Sequence, residues 1–357
     1  MALEFKPFDS HIDLPKQRDL FRSSFPENIG TSSETEEHYR WKFRRFPSEI
    51  PSYEFAAYED NAMVGYYAAL PYTYVLGDRR YTAGMVCDVM THPDMRGRGV
   101  FAKLGSYATD SLSKEGLSFT TGYPIRPEVI PGHLKVGWKI MFRLPMYMYF
   151  LRSNRALKTK RLGFLAPVVN HALWVYHFFL RPSSDLEYDY TVLTRDELLN
   201  SDAYDEFLRK WTASQRFALV KSREFLRWRT GAPSTEYHFI SSSKHGKITG
   251  LALVRRTVLQ DIPCLAVLDW MTLAGHESAV GGITKSMRDM AQELRCEALV
   301  TMMSPTLAGK YRLVPQGFLR TPFVFSLIIK RLDESIDEHL LADETNWHLM
   351  WIDSDDL

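Results

Sequence analysis

The sequence is poor in cysteine and carries almost no net charge. Its three cysteines, Cys87, Cys264 and Cys296, lie far apart in 357 residues and form no Cys-x-x-Cys pair and no Cys/His ligand spacing. This odd, scattered set excludes a disulfide framework, suggests no metal site and predicts a protein of the reducing cytoplasm. A formal charge of +1 argues against nucleic acid as a partner, since proteins that wrap it carry a strongly basic face.

The chain also lacks an apolar N-terminal run of the length that a signal peptide needs. One stretch without Asp, Glu, Lys or Arg, residues 162–180, approaches the length of a membrane span and follows a basic segment, 152–161. A proline, an asparagine and two histidines inside it are costly in lipid, so no span is predicted. The composition favours a buried or interdomain helix. An interfacial helix with a basic anchor, bringing residues 152–180 to a membrane surface, stays open as the alternative.

The two halves of the chain repeat each other. The offset between matched residues drifts slowly, from 187 for Trp41 and Trp228 to 180 for Gly137 and Gly317. The matched segments are YRWKF (39–43) with LRWRT (226–230), YEFAAYEDNAMVGYYAAL (53–70) with YHFISSSKHGKITGLALV (237–254), CDVM (87–90) with LDWM (268–271), and VGWK (136–139) with QGFL (316–319). Four matches in one order predict a tandem duplication, with one domain in each half.

Each copy is predicted to be an α/β domain with a mixed sheet. A helix carries the Arg-Trp motif, and a hairpin then turns at Asp60-Asn61 or at His245-Gly246. A strand, a helix with apolar residues about four apart, a further strand, a short helix and a last strand follow. We expect a first domain at 1–150, a basic and apolar linker helix region at 151–184, and a second domain at 185–357.

The segment DMRGRGVF, residues 94–101, carries the strongest functional signal. It joins the CDVM strand to the following helix and alternates two arginines with two glycines, Arg96-Gly97-Arg98-Gly99. Glycine allows the unusual φ and the close approach that turn successive backbone N–H groups toward one ligand. With the helix dipole behind them, such groups favour a phosphate or pyrophosphate. A solvated basic turn that caps a helix is the alternative interpretation.

In this context the loop resembles the signature of the GNAT superfamily of acyl-CoA-dependent N-acyltransferases. That signature is Arg/Gln-x-x-Gly-x-Gly/Ala, and the chain has Arg96-Gly97-Arg98-Gly99-Val100-Phe101 after His92-Pro93-Asp94, which is also typical of the family. The bulky Phe101 departs from the consensus. In this and in its two copies the chain is similar to the tandem, Eis-like acetyltransferases. The resemblance implies a tandem duplication of a GNAT-like mixed-sheet domain whose second copy is degenerate.

The resemblance implies acetyl-CoA or another acyl-CoA as co-substrate. A strand edge would pair with the pantetheine arm, and backbone N–H groups of the loop would hold the pyrophosphate. The residues that it implies are Val89, Met90 and Thr91 on the strand, and Arg96, Gly97, Arg98, Gly99, Val100, Phe101, Ala102 and Lys103 in the loop and first helical turn. The second copy has AGHESAVGG (274–282) at this place, lacks both arginines and adds Glu277. We therefore expect the second copy to be structural or to shape the acceptor site.

Three residues are candidates for proton transfer when a free amine attacks a thioester. Asp88 lies in the strand before the loop, where the family places an acidic or water-mediated base; the equivalent Asp269 of the second copy also allows a structural role. His133 stands four residues before Gly137, where the family usually has a general-acid tyrosine, and histidine exchanges protons near neutral pH. Tyr123, at the end of the next strand, is the alternative donor.

We therefore expect an N-acyltransferase, most simply an acetyltransferase, that transfers the acyl group of acyl-CoA to the amine of a small molecule. The acceptors that fit are an amino sugar, a polyamine or an amino-acid derivative; a protein acceptor is less favoured because the second domain would crowd it. Two alternatives stay open. One is a Fem-like aminoacyl transferase, and the other is a non-catalytic module that binds acyl-CoA or docks on a membrane.

Overall fold

The computed structural model describes residues 3–77, 79–124, 126–180 and 184–355. The chain divides into two compact units, each built from three separate segments. Unit 1 consists of Met1–Phe142, Glu224–Ser234 and Ser326–Asp343, and unit 2 of Arg143–Arg223, Thr235–Phe325 and Glu344–Leu357.

Strands and helices alternate along the chain. The strands are β1 (Glu4–Pro7), β2 (Tyr53–Glu59), β3 (Ala62–Leu76), β4 (Arg79–Thr91), β5 (Phe119–Gly122), β6 (Lys139–Phe150), β7 (Asp189–Leu193), β8 (Phe217–Leu219), β9 (Tyr237–Lys244), β10 (Lys247–Leu259), β11 (Ile262–Thr272), β12 (Ala298–Met302), β13 (Leu319–Arg331) and β14 (Trp347–His348). The helices are α1 (Ser10–Ser24), α2 (Glu36–Tyr39), α3 (Val100–Lys114), α4 (Ile130–Lys135), α5 (Asn154–Thr159), α6 (Ala166–Phe179), α7 (Arg195–Leu199), α8 (Asp202–Ser214), α9 (Arg223–Arg229), α10 (Val280–Glu293), α11 (Pro305–Lys310) and α12 (Glu338–Ala342). A π-helical turn, Arg40–Arg44, follows α2 directly.

The sheet of unit 1 has the strand order β1-β2-β3-β4-β5-β13. Neighbouring strands run antiparallel, except that β4 and β5 are parallel. Helix α3 covers one face, and its Leu104, Ala108 and Leu112 are buried, as their four-residue spacing predicts. These side chains share a hydrophobic core with Tyr67 and Trp138, so the helix is fixed on the sheet just after the glycine loop.

Unit 2 repeats this arrangement. Its sheet has the order β7-β9-β10-β11-β12-β6, again antiparallel apart from the parallel pair β11 and β12. Helix α10 takes the place of α3, with Ile283, Met287 and Met290 buried. The matching orders and directions confirm the predicted duplication of a mixed α/β domain.

The hairpins turn where the sequence predicts. Asp60 and Asn61 have φ values of 48° and 66° between β2 and β3, and His245 and Gly246 have 52° and 73° between β9 and β10. Asp, Asn and Gly enter the left-handed region more readily than other residues. These short turns set the register of both hairpins.

In each unit the last strand of the strand order belongs in sequence to the other copy. Strand β6 follows the first copy, but its part Arg143–Phe150 lies in unit 2 and pairs with β12. Strand β13 follows the second copy, but Ser326–Arg331 lies in unit 1 and pairs with β5. The compact units therefore run across the predicted domain ranges, which rest on the sequence repeat alone.

The repeated tryptophans meet in unit 1. The rings of Trp41 and Trp228 stack with centroids 5.3 Å apart and planes 11° apart. The Trp41 Nε1–H donates to the Trp228 carbonyl at 2.7 Å, and the Trp228 Nε1–H donates to the Trp41 carbonyl at 2.9 Å. Equivalent residues of the two copies thus pair each other's indole N–H groups in hydrogen bonds, as buried N–H groups require.

Helix α6 lies within the charge-free segment, and none of its described residues is buried. The preferred prediction, a buried or interdomain helix, is wrong about burial here, because a lack of charge shows only that a segment tolerates burial. No helix in the described ranges is long and apolar enough to cross a membrane.

Candidate functional site

The loop after β4 is shaped by one proline and two glycines. Pro93 starts a 3-10 turn, Pro93–Met95, and the His92 N–H donates to the Val64 carbonyl at 2.9 Å, which ties the loop to β3. Gly97 and Gly99 both have a φ of 78°, and α3 begins at the next residue. A side chain at either position would be strained, so the alternation of glycine with arginine is a backbone requirement.

The start of α3 leaves backbone donors open. Gly99 supplies no side-chain cap, and the N–H groups of Val100, Phe101 and Ala102 have no hydrogen-bond acceptor among the residues that the structure describes. A helix of this length leaves such groups unsatisfied in its first turn, and its dipole favours an anion there. The nearby side chains of Arg96, Arg98 and Lys103 are all exposed.

Phe101 packs away from this donor cluster. Its ring meets His133 edge-on, with centroids 4.9 Å apart, and covers Gly132 so closely that a Cβ there would lie 2.7 Å from the ring. The phenylalanine therefore fixes α3 on α4 and leaves the backbone of its own turn free for a ligand. Its departure from the small consensus residue is matched by a glycine in α4.

Strands β4 and β5 separate next to this loop. Only Ala83–Met85 of β4 pair with β5, where they lie beside Phe119–Thr121. Strand β4 continues alongside β3 as far as Thr91. A β-bulge interrupts that second pairing at Asp88 and Val89, and Asp88 has a φ of 48°. Beyond Met85 the edge of β4 that faced β5 thus has no strand partner among the described pairings. The predicted strand residues Val89, Met90 and Thr91 lie on this edge.

Asp88 is held in an ion pair. The Lys42 ammonium lies 2.8 Å from its carboxylate, and both side chains are largely buried. Burial alone would raise the pKa of Asp88, but Lys42, Arg18 and His38 outweigh it, and the pKa lies below its usual value. Such a carboxylate stays ionised and is a weak base, which agrees better with a structural role in the bulge.

His133 lies in α4 and is buried between two rings. Trp138 meets it edge-on at 4.9 Å, on top of its contact with Phe101. Burial lowers the pKa of His133 to about 4, so the imidazole is neutral at pH 7. Tyr123 follows the end of β5 and is also buried. Of the predicted residues, the structure thus brings together Phe101 and His133, while Asp88 contacts Lys42.

Sequence reasoning missed the partners of Asp88. Lys42 belongs to the repeated Arg-Trp-basic motif, so its place in that motif was the available signal. His38 lies one helical turn before it, and burial, with Lys42 next in effect, lowers the pKa of His38 to about 4. Arg18 comes from α1, which no motif connects to β4.

The corresponding loop of the second copy has another form. A 3-10 turn, Glu277–Ala279, runs directly into α10, and its last residue is right-handed helical. A Cβ on Gly282 would overlap the ring of Tyr190, so this ring lies against the first turn of α10. No arginine stands in this loop, and Glu277 would repel a phosphate.

The bulge of the second copy is closed off by a later part of the chain. Strand β11 separates from β12 after Val267, and Met350 forms a bridge with Met303 directly beyond β12. The turn Trp351–Asp353 contacts β11, and its residues are buried. Residues 347–353 therefore fill the region where these two strands part.

Sequence and structure comparisons agree with this architecture. Residues 11–141 match the family described as "Acetyltransferase (GNAT) domain". A search of curated protein sequences finds no significant match. A GCN5-related N-acetyltransferase from Anabaena variabilis superposes with a TM-score of 0.65 at 13% identity, over 93% of this chain and 73% of that chain.

Two further solved structures have the same fold. A tandem GNAT protein from the clavulanic acid biosynthesis pathway has a TM-score of 0.58 at 13% identity, over 93% of this chain and 99% of that chain. The N-myristoyltransferase of Saccharomyces cerevisiae, solved with myristoyl-CoA, has a TM-score of 0.61 at 11% identity, over 92% and 79%. At these identities the likeness concerns the fold. Residues 11–141 thus match the GNAT acetyltransferase domain family, and the chain as a whole has the fold of these solved structures, one of which is a tandem GNAT protein.

Proposed function

We propose that the protein is an acyl-CoA-dependent N-acyltransferase whose first copy binds the acyl donor and whose acceptor is a small amine. The observation that carries the proposal is the uncapped start of α3 beside the free edge of β4. Both features belong to the first copy, and in the second copy Tyr190 and residues 347–353 cover the equivalent places. The solved yeast relative was crystallised with an acyl-CoA, which supports the same class of donor here.

The residues present fit a CoA molecule. The N–H groups of Val100, Phe101 and Ala102 would hold the pyrophosphate, with Arg96 and Arg98 adding charge from the loop. The free edge of β4 at Val89–Thr91 would pair with the amides of the pantetheine arm. When bound, the thioester supplies an acyl group already activated for transfer.

In the proposed reaction the amine nitrogen attacks the thioester carbonyl carbon. A C–N bond forms, the C–S bond breaks, the nitrogen loses a proton and the thiolate gains one. At pH 7 His133 is neutral, so the only proton that it could give is that of its imidazole N–H. A tyrosine still carries its phenolic proton at this pH. We therefore rank Tyr123 before His133 as the donor to the thiolate. The low pKa of Asp88 favours removal of the amine proton by water rather than by that carboxylate.

Binding is tested first, by thermal unfolding with CoA, acetyl-CoA and longer acyl-CoAs. We expect stabilisation that grows with ligand concentration, because a ligand of the folded state stabilises it by mass action. Gly99→Val should weaken binding tenfold or more. Gly116→Val is the matched control, since Gly116 has a φ of 79° at the other end of the same helix. The absence of any shift with every acyl-CoA would refute the proposal.

Turnover is tested by thiol release over amino sugars, polyamines and amino-acid derivatives. Tyr123→Phe should lower kcat by more than tenfold, and His133→Phe should change it less. Both side chains are buried, so circular dichroism and acyl-CoA binding must show that each variant is folded. CoA binding without turnover on any amine would favour the non-catalytic alternative, and aminoacyl-tRNA without CoA as donor would favour the Fem-like one.

A further inference from the structure

The segment 152–179 of unit 2 exposes an apolar surface that a water-soluble protein normally covers. Of the twenty large apolar side chains found exposed in the described ranges, eight lie between residues 162 and 179. The exposed fractions reach 77% for Phe179, 76% for Phe164 and 70% for Val168. We name as the apolar face the side chains Phe164, Val168, Trp174, Val175, Phe178 and Phe179.

The opposite side of α6 is anchored. The Asn170 Oδ1 accepts hydrogen bonds from the Ser153 N–H and hydroxyl, both at 2.8 Å. His177 stacks on Tyr149 with centroids 4.3 Å apart. Because these contacts fix the rotation of the helix, the apolar face is held outward.

A basic segment directly precedes the apolar face in the chain. Five exposed cations follow one another along the chain without a carboxylate, and we name them the basic face: Arg152, Arg155, Lys158, Lys160 and Arg161. Arg155 and Lys158 line a pocket of about 470 Å³ together with Arg256, and Asp261 is the carboxylate on its wall. The Asn170 amide donates to the Asn154 side chain at 2.9 Å and so joins the basic helix α5 to α6.

We propose that α6 docks in the interface of an anionic membrane. The apolar face would enter the acyl boundary, and the basic face would contact headgroup phosphates, one of them in the pocket beside Arg155. A helix of Ala166–Phe179 is about 21 Å long, too short to cross a hydrocarbon core of about 30 Å, so it lies in the membrane plane. Positive charge beside exposed aromatic residues favours anionic lipid over a neutral surface.

The test is flotation of the full chain with vesicles. One set contains phosphatidylcholine alone, and the other contains phosphatidylcholine mixed with phosphatidylglycerol. We expect binding to the mixed vesicles at least tenfold stronger than to the neutral ones, and weaker at high salt. Trp174→Glu/Phe178→Glu should reduce this binding tenfold or more. The control Ile12→Glu changes an even more exposed apolar residue, on α1, and should have no effect.

A second pair of variants tests the contribution of charge. Arg155→Glu/Lys158→Glu changes the basic face, and Arg80→Glu/Lys114→Glu, which changes two exposed cations elsewhere, is the control. Only the first of these variants should reduce binding to the anionic vesicles. All these residues are exposed, and an unchanged melting temperature confirms folding. Failure of the protein to float with the mixed vesicles at low salt overturns the proposal. So does a loss of vesicle binding in the control variants that equals the loss in the test variants. A dimer in sedimentation equilibrium that Trp174→Glu/Phe178→Glu dissociates would assign the apolar face to a second copy of this chain instead.

Discussion

The helix starts of the two copies differ in what lies over their first turns. In the first copy, the ring at this place comes from α3 itself, since Phe101 packs against Gly132 in α4 and leaves the turn uncovered. In the second copy Gly282 lies in the first turn of α10, and Tyr190 of β7 covers it. An aromatic ring from another element thus covers the first turn of α10, whereas the first turn of α3 is left uncovered.

The two bulges differ in a related way. Both copies place an aspartate there and neutralise it with a lysine, Lys42 at 2.8 Å from Asp88 and Lys221 at 2.7 Å from Asp269. The lysines are not equivalent in the repeat, so the charge balance is kept while the sequence position of the cation changes. The Asp88 side chain is 17% exposed to solvent, whereas the Asp269 side chain is only 2% exposed, because residues 347–353 close the second site.

The largest expected effect tests this difference in burial. Lys221→Met should lower the free energy of unfolding by about 3–5 kcal/mol, because it leaves the Asp269 carboxylate buried without its cation. Lys42→Met should cost about 1–3 kcal/mol, since water can reach part of Asp88. Equilibrium urea unfolding measures both. Equal losses of unfolding free energy in the two variants would show that coverage by residues 347–353 does not strengthen the Lys221–Asp269 ion pair.

The next effect concerns Asp353, which has no counterpart beside Asp88 among the residues that the structure describes. Burial raises the pKa of Asp353 to about 7 from a usual value of 3.8. The folded state therefore keeps a proton that the unfolded state releases, and stability falls as the pH rises from about 4 to 7. Asp353→Asn should be more stable than the parent chain at pH 8, on the order of 4 kcal/mol, and nearly equal to it at pH 4. A difference that does not change with pH would contradict this assignment.

A third effect distinguishes the loops. Arg96→Ala/Arg98→Ala should weaken CoA binding about tenfold, which is about 1.4 kcal/mol, and make it less sensitive to salt. Glu277→Ala in the second loop should leave binding unchanged. Calorimetric titration with CoA measures both variants, and an equal change in the two would show that the loops do not differ in function.

The smallest effect tests the symmetry between the copies. Trp41→Phe and Trp228→Phe each remove one of the two reciprocal hydrogen bonds; the Trp228 carbonyl still accepts from the Gly231 N–H at 3.0 Å. We expect a loss of about 1 kcal/mol from each variant, of similar size. Thermal unfolding compares them, and a clear inequality would mean that the two environments are less alike than their geometry suggests.

Much of the first copy could be predicted from local signals. The turn at Asp60-Asn61, the buried stripe of α3 and the glycine loop all depend on residues a few positions apart. The ion pair of Asp88 could not, because Lys42 is 46 residues away and a lysine in a helical motif is usually solvated. The burial of helix α6 was mispredicted because its polar residues, such as Asn170, anchor it while its apolar residues stay exposed.

The exchange of last strands was also out of reach. A repeat shows that two segments are alike, but it does not show which sheet each segment joins. Nothing in the composition of β6 or β13 favours one sheet over the other, since both continue from a Gly-aromatic start. The same limit applies to residues 347–353. They fill the region around the β11 bulge at Asp269, more than seventy residues earlier in the sequence.

The position of β13 has a consequence for synthesis. Strand β5 has to wait for Ser326–Arg331, roughly 200 residues downstream, before its outer edge is paired. At 5–20 residues per second a ribosome needs on the order of 10–40 s to make that stretch. Throughout this interval the nascent first copy presents an unpaired strand edge, the feature most prone to pairing with a neighbouring chain. The demand for protection by chaperones should therefore be greatest during translation, before the second copy is complete.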